Sequence, residues 1–260
     1  MKEYTLITGA SSGIGLELAR IAWREKRNLV LLARDEHGLK KVREEILKQV
    51  QDDKREIEIF AFDLSKDDSA KKVYDFCQQK KIHISELINN AGFGDYGKFV
   101  DSDIKRQIEM IDLNIKAVTE LTHLFLPNMI KNKSGKIMNL GSVASFLPGP
   151  YMNVYYSTKH YVLAFSEGLA AETKGTGVTV TCLCPGPTQS NFGKSANADK
   201  SKVFKSKNLP TARDVAEFGW YQMIQGEVVA IHGRRNRLVY LISKLAPISL
   251  VAKLVKMTQS

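Results

Sequence analysis

Short runs of apolar residues alternate along the chain with longer segments in which apolar residues recur at helical spacing. The first run, YTLIT, precedes SSGIGLELARIAWREK, where Ile14, Leu18, Ile21 and Ala22 fall near the helical period. The same alternation continues to about residue 185. It predicts six strands, in the segments YTLIT, NLVLLA, IEIFAFDL, ISELINNAG, GKIMNLGS and VTVTCLCPG.

The segments between these strands predict helices. They are SSGIGLELARIAWREK, EHGLKKVREEILKQVQ, SAKKVYDFCQQK, a long segment ending near Pro127, and YYSTKHYVLAFSEGLAAET. The strands lack strict polar alternation, which indicates a parallel sheet covered by helices on both faces. We therefore expect an α/β fold: a single-domain, doubly wound parallel sheet of Rossmann type spanning residues 1–260.

Two regions depart from the alternation. Residues 189–210 are polar and rich in Ser, Asn and Lys, which predicts a loop. Residues 234–256 are basic and amphipathic and contain no acidic residue. We favour the interpretation that this segment is a terminal helix packed on the core or on another subunit. The alternative is peripheral contact with an anionic membrane or an acidic partner.

Composition excludes several classes of protein. Hydrophobic residues make up 43% and charged residues 25% of the chain, as in ordinary globular proteins. The N-terminus resembles no signal peptide, and no apolar run reaches the roughly 18 residues of a spanning helix. Cys182 and Cys184 alternate in one strand, which predicts two buried thiols on one face. A reducing, cytoplasmic location is expected.

The formal net charge of +10 suits acidic partners. Lys and Arg are scattered through the chain, which favours a solvated basic surface over a nucleic-acid site. No helix-turn-helix signature or basic stripe with interleaved aromatic residues is present, so we expect no nucleic-acid binding.

The segment TGASSGIG, residues 8–15, lies between the first strand and the first helix. Glycines at such a turn let the backbone approach a pyrophosphate, and the helix N-terminus offers N–H groups and a positive dipole. The spacing is G-x-x-x-G-x-G, unlike the general dinucleotide fingerprint. A tight turn without a ligand would also require glycine.

The end of the second strand bears on the choice of dinucleotide. NAD sites usually carry an acid there, whereas NADP sites use a nearby arginine for the 2′-phosphate. This strand ends in LLAR, so Ala33 takes the acid's place and Arg34 follows, with Asp35 one position later. The pattern predicts NADP(H) over NAD(H); the alternative is an exposed surface or helix-cap charge.

Several motifs occur in a characteristic order: TGASSGIG, NNAG at 89–92, Ser142 in NLGSVAS, YYSTK at 155–159 and PGPT at 185–188. In this combination the chain resembles a classical short-chain dehydrogenase/reductase over residues 3–230. Its long C-terminal segment is similar to a bacterial branch of general short-chain oxidoreductases. The resemblance implies NADP(H)-dependent hydride transfer between a nicotinamide and a small carbonyl or alcohol substrate, in a homodimer or homotetramer.

The resemblance also distinguishes the two adjacent tyrosines. The family pattern Tyr-x-x-x-Lys is satisfied by Tyr155 with Lys159 and not by Tyr156, for which we expect a packing role. Residues i and i+4 share a helix face, so the Lys159 cation is expected to lower the pKa of the Tyr155 phenol. The resemblance implies that Tyr155 is the acid/base, Ser142 orients the substrate oxygen, and Asn114 supports a proton relay to Lys159.

The family's remaining roles are carried over by matching motif. The implied cofactor-binding residues are Gly9, Ser11, Ser12, Gly13, Ile14, Gly15, Arg34, Asp63, Leu64, Asn90, Ala91, Gly92, Tyr155, Lys159, Pro185, Gly186 and Thr188. The implied substrate contacts are Ser142, Tyr155, Asn191 and Phe192, with 189–210 as a substrate lid. The five histidines are far apart in sequence, and we expect no metal.

Two other functions remain open. A 3-oxoacyl-thioester reductase would use the same chemistry on an acyl carrier, and the basic charge suits an acidic carrier. A non-catalytic NADP-binding sensor or interaction module would use the fold alone. Retention of all four residues Asn114, Ser142, Tyr155 and Lys159 argues against the sensor.

Overall fold

The structure is a computed structural model that describes residues 2–48, 54–198 and 208–259. Within them one sheet contains seven parallel strands in the order β3-β2-β1-β4-β5-β6-β7. The strands are β1 (Glu3–Thr8), β2 (Asn28–Ala33), β3 (Ile57–Ala61), β4 (His83–Asn89), β5 (Gly135–Leu140), β6 (Val178–Cys184) and β7 (Val229–Ile231). The six predicted strands are present. Strand β7 was not predicted, because a strand of three residues is too short to show a pattern of apolar positions.

Helices connect the strands. They are α1 (Gly13–Arg24), α2 (Glu36–Leu47), α3 (Ser69–Gln79), α4 (Ile104–Ile111), α5 (Ala117–Lys131), α6 (Asn153–Glu172), α7 (Phe192–Ser195), α8 (Ala212–Gln225), α9 (Arg234–Leu245) and α10 (Ile248–Gln259). Side chains cap several of them; Thr211, for example, forms a capping box with Asp214 at the start of α8. No helix within the described residues is both long enough and apolar enough to cross a lipid bilayer.

The core lies on both faces of the sheet. Successive strand residues alternate between two hydrophobic clusters: Leu6 and Leu87 join one, whereas Ile7 and Ile88 join the other. Burial on both faces explains why the strands are continuously apolar. The expected single-domain, doubly wound fold is therefore confirmed.

The strand order reverses between β1 and β4, which are adjacent in the sheet. From β1 the chain proceeds outward to β2 and β3, and then returns to β4 and continues to β7. In open parallel sheets of this kind, ligands bind outside the carboxyl ends of the strands at the reversal point. Thr8 and Asn89 are the last residues of these two strands.

The helical layer has two further features, of which the first was not predicted. A π-helical turn, Asp112–Lys116, joins α4 to α5. The basic C-terminal segment divides into α9 and α10 at Pro247, whose preceding residue Ala246 is extended, as the proline ring requires. In the predicted lid segment the structure describes α7 and its flanks, and residues 199–207 lie outside the described residues.

Candidate active site

The turn between β1 and α1 has glycine at positions that exclude side chains. Gly9 and Gly13 have φ values of +68° and +58°, a region that favours glycine. A Cβ on Gly9 would lie 2.8 Å from Nδ2 of Asn90. A Cβ on Gly15 would lie 2.3 Å from the carbonyl oxygen of Gly9, so Gly15 lets the helix approach the turn.

Thr8 and Asn90 join the ends of β1 and β4. The backbone N–H groups of Asn90 and Ala91 both donate to Oγ1 of Thr8, each at 2.9 Å. In return, Nδ2 of Asn90 donates to the carbonyl oxygen of Thr8 at 2.8 Å. These bonds fix the glycine turn against the NNAG segment and form the floor of a cleft.

The cleft has a volume of about 320 Å³ and lies at the reversal point of the sheet. The Ser12 side chain accepts no hydrogen bond from the described first turn of α1, so N–H groups of that turn remain available to a phosphate. A glycine-floored cleft with these donors fits a dinucleotide. Predicted cofactor residues lining it are Gly9, Ser11, Ser12, Gly13, Ile14, Arg34, Asp63, Leu64, Asn90, Ala91 and Gly92.

Arg34 and Asp35 lie at one end of the cleft and have different roles. The Asp35 carboxylate caps α2, accepting a hydrogen bond from the Gly38 N–H at 2.9 Å. The Arg34 side chain is 65% exposed, and its Nη1 lies 3.8 Å from Oδ2 of Asp63. Asp63 in turn accepts hydrogen bonds from the backbone and hydroxyl of Ser65. The exposed guanidinium of Arg34 therefore supplies positive charge at this end of the cleft.

Tyr155, Ser142 and Lys159 line a cavity that adjoins the cleft. Tyr155 and Lys159 are one turn apart on α6, both buried. The Lys159 ammonium nitrogen lies 5.7 Å from the centre of the Tyr155 ring. The Ser142 hydroxyl donates to the Pro185 carbonyl oxygen at 3.4 Å and lines the same cavity as the Tyr155 ring. The predicted trio is thus brought together by α6 and the end of β5.

The Ser142 side chain is held by the short 3₁₀ turn Val143–Phe146. Its hydroxyl accepts a hydrogen bond from the Ala144 N–H at 3.1 Å, and the Ser145 hydroxyl accepts one from the Ser142 N–H at 3.2 Å. Ser145 also donates to the Lys159 carbonyl oxygen at 2.7 Å. This capping box therefore links Ser142 to the helix that carries the tyrosine.

Burial alters the pKa of both groups on α6. It lowers the pKa of Lys159 to about 8, although the Cys182 and Cys184 thiols oppose the shift. Burial also raises the pKa of Tyr155 above its usual range, and the nearby Ser142 hydroxyl opposes that shift. The expected lowering of the Tyr155 pKa by Lys159 is wrong in this structure, because the loss of solvent outweighs nearby polar groups.

Asn114 lies in the π-helical turn, buried beside the trio. Its Oδ1 accepts from the Phe93 N–H at 3.2 Å, and its Nδ2 donates to the Phe93 carbonyl oxygen and the Thr158 hydroxyl, each at 3.0 Å. Nζ of Lys159 donates to the Leu140 carbonyl oxygen at 2.6 Å. A Cβ on Gly92 would lie 2.9 Å from Oδ1 of Asn114 and 3.7 Å from that Nζ, so glycine at this position leaves the space beside both groups free of a side chain.

A cavity of about 240 Å³ opens beside Ser142 and Tyr155 and adjoins the cleft. Phe192 lines this cavity, and its ring centre lies 5.3 Å from that of Tyr155. Asn191 lies on the cofactor cleft instead. Of the other predicted cofactor residues, the cavity is lined by Pro185, Gly186 and Thr188.

Residues that the sequence did not predict line the same cavity. Tyr156 packs against Gly149, as expected of a packing residue, but it also borders the cavity, and its hydroxyl accepts a hydrogen bond from Nε2 of Gln259 at 2.9 Å. Val255 and Thr258, also on α10, line it too. These positions were missed because α10 is about 100 residues from Tyr156 in sequence, and no local pattern encodes such contacts.

The remaining predictions concern cysteines and metals. Cys182 and Cys184 are buried and unbridged, with their sulfur atoms 3.7 Å apart behind Gly141, as the strand alternation predicted. Among the described residues, no group of three or more His, Cys, Asp or Glu side chains is arranged to hold a metal ion.

The fold and the two adjoining cavities define a dinucleotide-dependent enzyme of the doubly wound class. A family model described as short chain dehydrogenase matches residues 3–201. The chain therefore belongs to the short-chain dehydrogenase family and is an NAD(P)-dependent oxidoreductase, which confirms the resemblance seen in its motifs. Members of this family act on small-molecule substrates and typically form oligomers.

Known relatives agree with this assignment. The chain is 32% identical to Sulfoacetaldehyde reductase 2 from Chromohalobacter salexigens, over 85% of this chain and 88% of the relative. It is similar to a short-chain dehydrogenase from Sphingobium yanoikuyae solved with NADPH (28% identity, TM-score 0.82, 94% and 93% covered). It is also similar to a bulky-bulky ketone specific alcohol dehydrogenase from Comamonas testosteroni (27% identity, TM-score 0.77, 94% and 93% covered).

Proposed function

We propose that this protein is an NADP(H)-dependent reductase of carbonyl compounds, or dehydrogenase of the corresponding alcohols, with Tyr155 as its acid/base. The observation that carries the proposal is the meeting of Tyr155, Ser142 and Lys159 where the glycine-floored cleft joins the second cavity. A substrate bound in this cavity would lie beside the phenol and next to the cleft that would hold the cofactor.

The cleft residues would hold the dinucleotide. Gly9 and Gly13, which have no side chains, would let the backbone approach the pyrophosphate, and N–H groups in the first turn of α1 would donate hydrogen bonds to it. Arg34 would bind the 2′-phosphate, because Asp35 is engaged in capping α2 and leaves the guanidinium as the exposed group at this end. Bound there, the nicotinamide supplies or accepts hydride.

The other four site residues, Tyr155, Ser142, Lys159 and Asn114, would position and transfer the proton that the substrate oxygen gains or loses. The raised pKa of Tyr155 keeps its phenol protonated at neutral pH, as a proton donor to a carbonyl oxygen must be. Ser142 would hydrogen-bond the same oxygen and orient it. Lys159 would resupply the proton and hold the nicotinamide ribose, and Asn114, fixed by Phe93 and Thr158, would support the relay.

The cavity favours a medium-sized, largely apolar substrate. Its walls include Leu147, Met152, Phe192, Val239 and Val255. The only cation among the described lining residues is Lys159, so the described part of the cavity offers no second positive group to bind a sulfonate or phosphate. The Comamonas relative is named for bulky ketones, which agrees with this substrate class. A 3-oxoacyl thioester is the second candidate, supported only by the basic net charge.

The test is NADPH oxidation against ketones, aldehydes and 3-oxoacyl thioesters, comparing the wild type with Tyr155→Phe. Removing the general acid should lower kcat about 100- to 10,000-fold while NADPH binding, followed by its fluorescence, stays nearly unchanged. Tyr156→Phe is the matched control on the next position of α6 and should retain most activity. Equal turnover by Tyr155→Phe would refute the assignment, and NADPH binding without turnover by the wild type would favour the sensor.

A further inference from the structure

Helix α9 has two different faces. Toward the core, the Tyr240 ring packs against Phe146 with centres 4.6 Å apart, and Val239 lines the substrate cavity. On the opposite side, apolar side chains lie within about 100° of arc, because a helix turns about 100° per residue. These exposed side chains are Leu238, Leu241, Ile242 and Leu245.

Helix α10 repeats the arrangement. Val251, Val255 and Gln259 are buried at successive i, i+4 positions, and Gln259 is tied to Tyr156 and, through its carbonyl oxygen, to the Tyr96 hydroxyl. A second stripe faces solvent and consists of Leu250, Leu254 and Met257. With Ile248, which begins α10, these exposed residues and the α9 stripe form what we term the α9–α10 surface.

Eight exposed apolar side chains on two consecutive helices indicate that this surface has an occupant, since monomeric proteins rarely expose large apolar patches. Its charges indicate which one. Residues 234–259 contain no Asp or Glu, and every cation in this segment is exposed. The cations are Arg234, Arg235, Arg237, Lys244, Lys253 and Lys256.

We propose that the α9–α10 surface binds the surface of an anionic lipid bilayer, lying in the plane of the headgroups. Helices with exposed apolar stripes and no charged side chains other than cations have the composition of interfacial helices. A second copy of this chain fits less well, because a twofold contact presses the same patch against itself and would bring the six cations together. The helices need not cross the membrane for this mode of binding.

This location would affect the enzyme's access to substrate. Val255 and Gln259 of α10 and Val239 of α9 line the cavity beside Tyr155, while the opposite faces of the same helices would rest on lipid. The substrate cavity would then open within one helix diameter of the bilayer, at about 10 Å. The inference does not depend on the cofactor or on the chemistry proposed for the site.

The test is sedimentation of the full-length protein with phosphatidylcholine vesicles, with and without phosphatidylglycerol. We expect binding to the anionic vesicles that weakens as salt is raised, and little binding to the neutral ones. Leu245 and Ile248 are 88% and 74% exposed, so replacing both with serine removes no core packing. That double variant should bind anionic vesicles at least roughly tenfold more weakly. Lys253→Gln with Lys256→Gln should also lose about tenfold or more.

Two control variants separate this surface from general properties of the chain. Val100→Ser with Tyr221→Ser removes two other exposed apolar side chains, and Lys40→Gln with Lys71→Gln removes the same charge from α2 and α3. Both should bind vesicles as the wild type does. No sedimentation with anionic vesicles, equal binding to neutral ones, or equal losses in the controls would overturn the proposal. So would light scattering that shows Leu245→Ser with Ile248→Ser dissociating an oligomer without altering vesicle binding, since a second copy would then be the occupant.

Discussion

The NADP(H) preference proposed for the cleft depends on single side chains. Arg34 and Asp35 are adjacent, but the capping bond from Gly38 directs the carboxylate into α2 while the guanidinium stays exposed. We expect Arg34→Ser to weaken NADPH binding about 10- to 100-fold, the worth of a charged hydrogen-bonding contact, and to leave NADH binding almost unchanged. Fluorescence titration with both cofactors measures the two dissociation constants.

The matched control for Arg34 is Arg213→Ser. The two arginine side chains are equally exposed, at 65%, and both lie near a carboxylate, but Arg213 is on α8 beside Glu217 and away from the cleft. Arg213→Ser should leave the dissociation constants for NADPH and for NADH unaltered. An equal loss of NADPH and NADH affinity in Arg34→Ser would show that the residue supports the cleft and does not select the 2′-phosphate.

Lys159 sets the expected pH dependence of reduction. Burial lowers its pKa to about 8, so it is charged below that pH and neutral above it. Tyr155 stays protonated through this range because burial raises its pKa. The kcat for carbonyl reduction should therefore fall as pH rises through about 8, as the relay loses its proton. A plateau extending to the usual tyrosine pKa of about 10 would show that Lys159 does not control the step.

At the scale of elements, the local pattern predicted the strands that cross the core but not the features that adjust the site. Continuous apolar runs and a glycine turn consist of consecutive residues, so β1 to β6 and the turn between β1 and α1 could be predicted from the sequence. The π-helical turn that places Asn114 depends on packing between α4, α5 and α6, which no spacing of apolar residues records.

The wall of the substrate cavity could not be predicted from local sequence patterns either. The sequence predicted an amphipathic segment at 234–256, but not that Gln259 reaches Tyr156 or that its carbonyl oxygen accepts a bond from Tyr96. Amphipathicity identifies a buried face without naming what buries it. Motif matching found residues whose chemistry is shared across the family, whereas the substrate wall is built from tertiary contacts of this chain.

The elements around β4 contain an ion pair whose loss should be costly. Glu86 lies in the centre of the sheet with a 5% exposed side chain; it accepts hydrogen bonds from Nε of Arg27 at 3.0 Å and from the Thr5 hydroxyl. Arg27→Met leaves this carboxylate buried with the hydroxyl as its remaining partner. We expect the free energy of unfolding in urea to drop by about 2 kcal/mol, less than for a fully buried pair because Arg27 is partly exposed.

Arg20→Met is the comparison for that variant. The Arg20 and Arg27 side chains are 38% and 39% exposed, but Arg20 pairs with Glu17 and Glu45, which reach solvent. A surface pair of this kind contributes about 1 kcal/mol or less. Equal losses in the two variants would mean that burial of Glu86 adds nothing to the strength of its pair.

At the scale of the whole molecule, the cleft joins segments that are far apart along the chain. Its lining comes from the ends of β1 to β5, the start of α1, the π-helical turn, and α7 with the residues before it. A ligand bound there contacts the folded protein and not the unfolded chain, in which these segments are separated. Cofactor binding should therefore stabilise the entire sheet and not one loop.

This argument predicts the size of the thermal effect. At a concentration about 100 times its dissociation constant, a ligand adds about 2.7 kcal/mol to the free energy of unfolding. For a domain of this size that corresponds to a rise in Tm of about 5–10 °C, measurable by scanning fluorimetry with NADPH. At the same concentration NADH should give a smaller rise, and Tyr155→Phe should keep the full NADPH shift because the phenol lies in the adjoining cavity. An NADPH shift that vanishes in Tyr155→Phe would place the phenol among the groups that bind the cofactor, and its loss could then no longer be assigned to proton transfer alone.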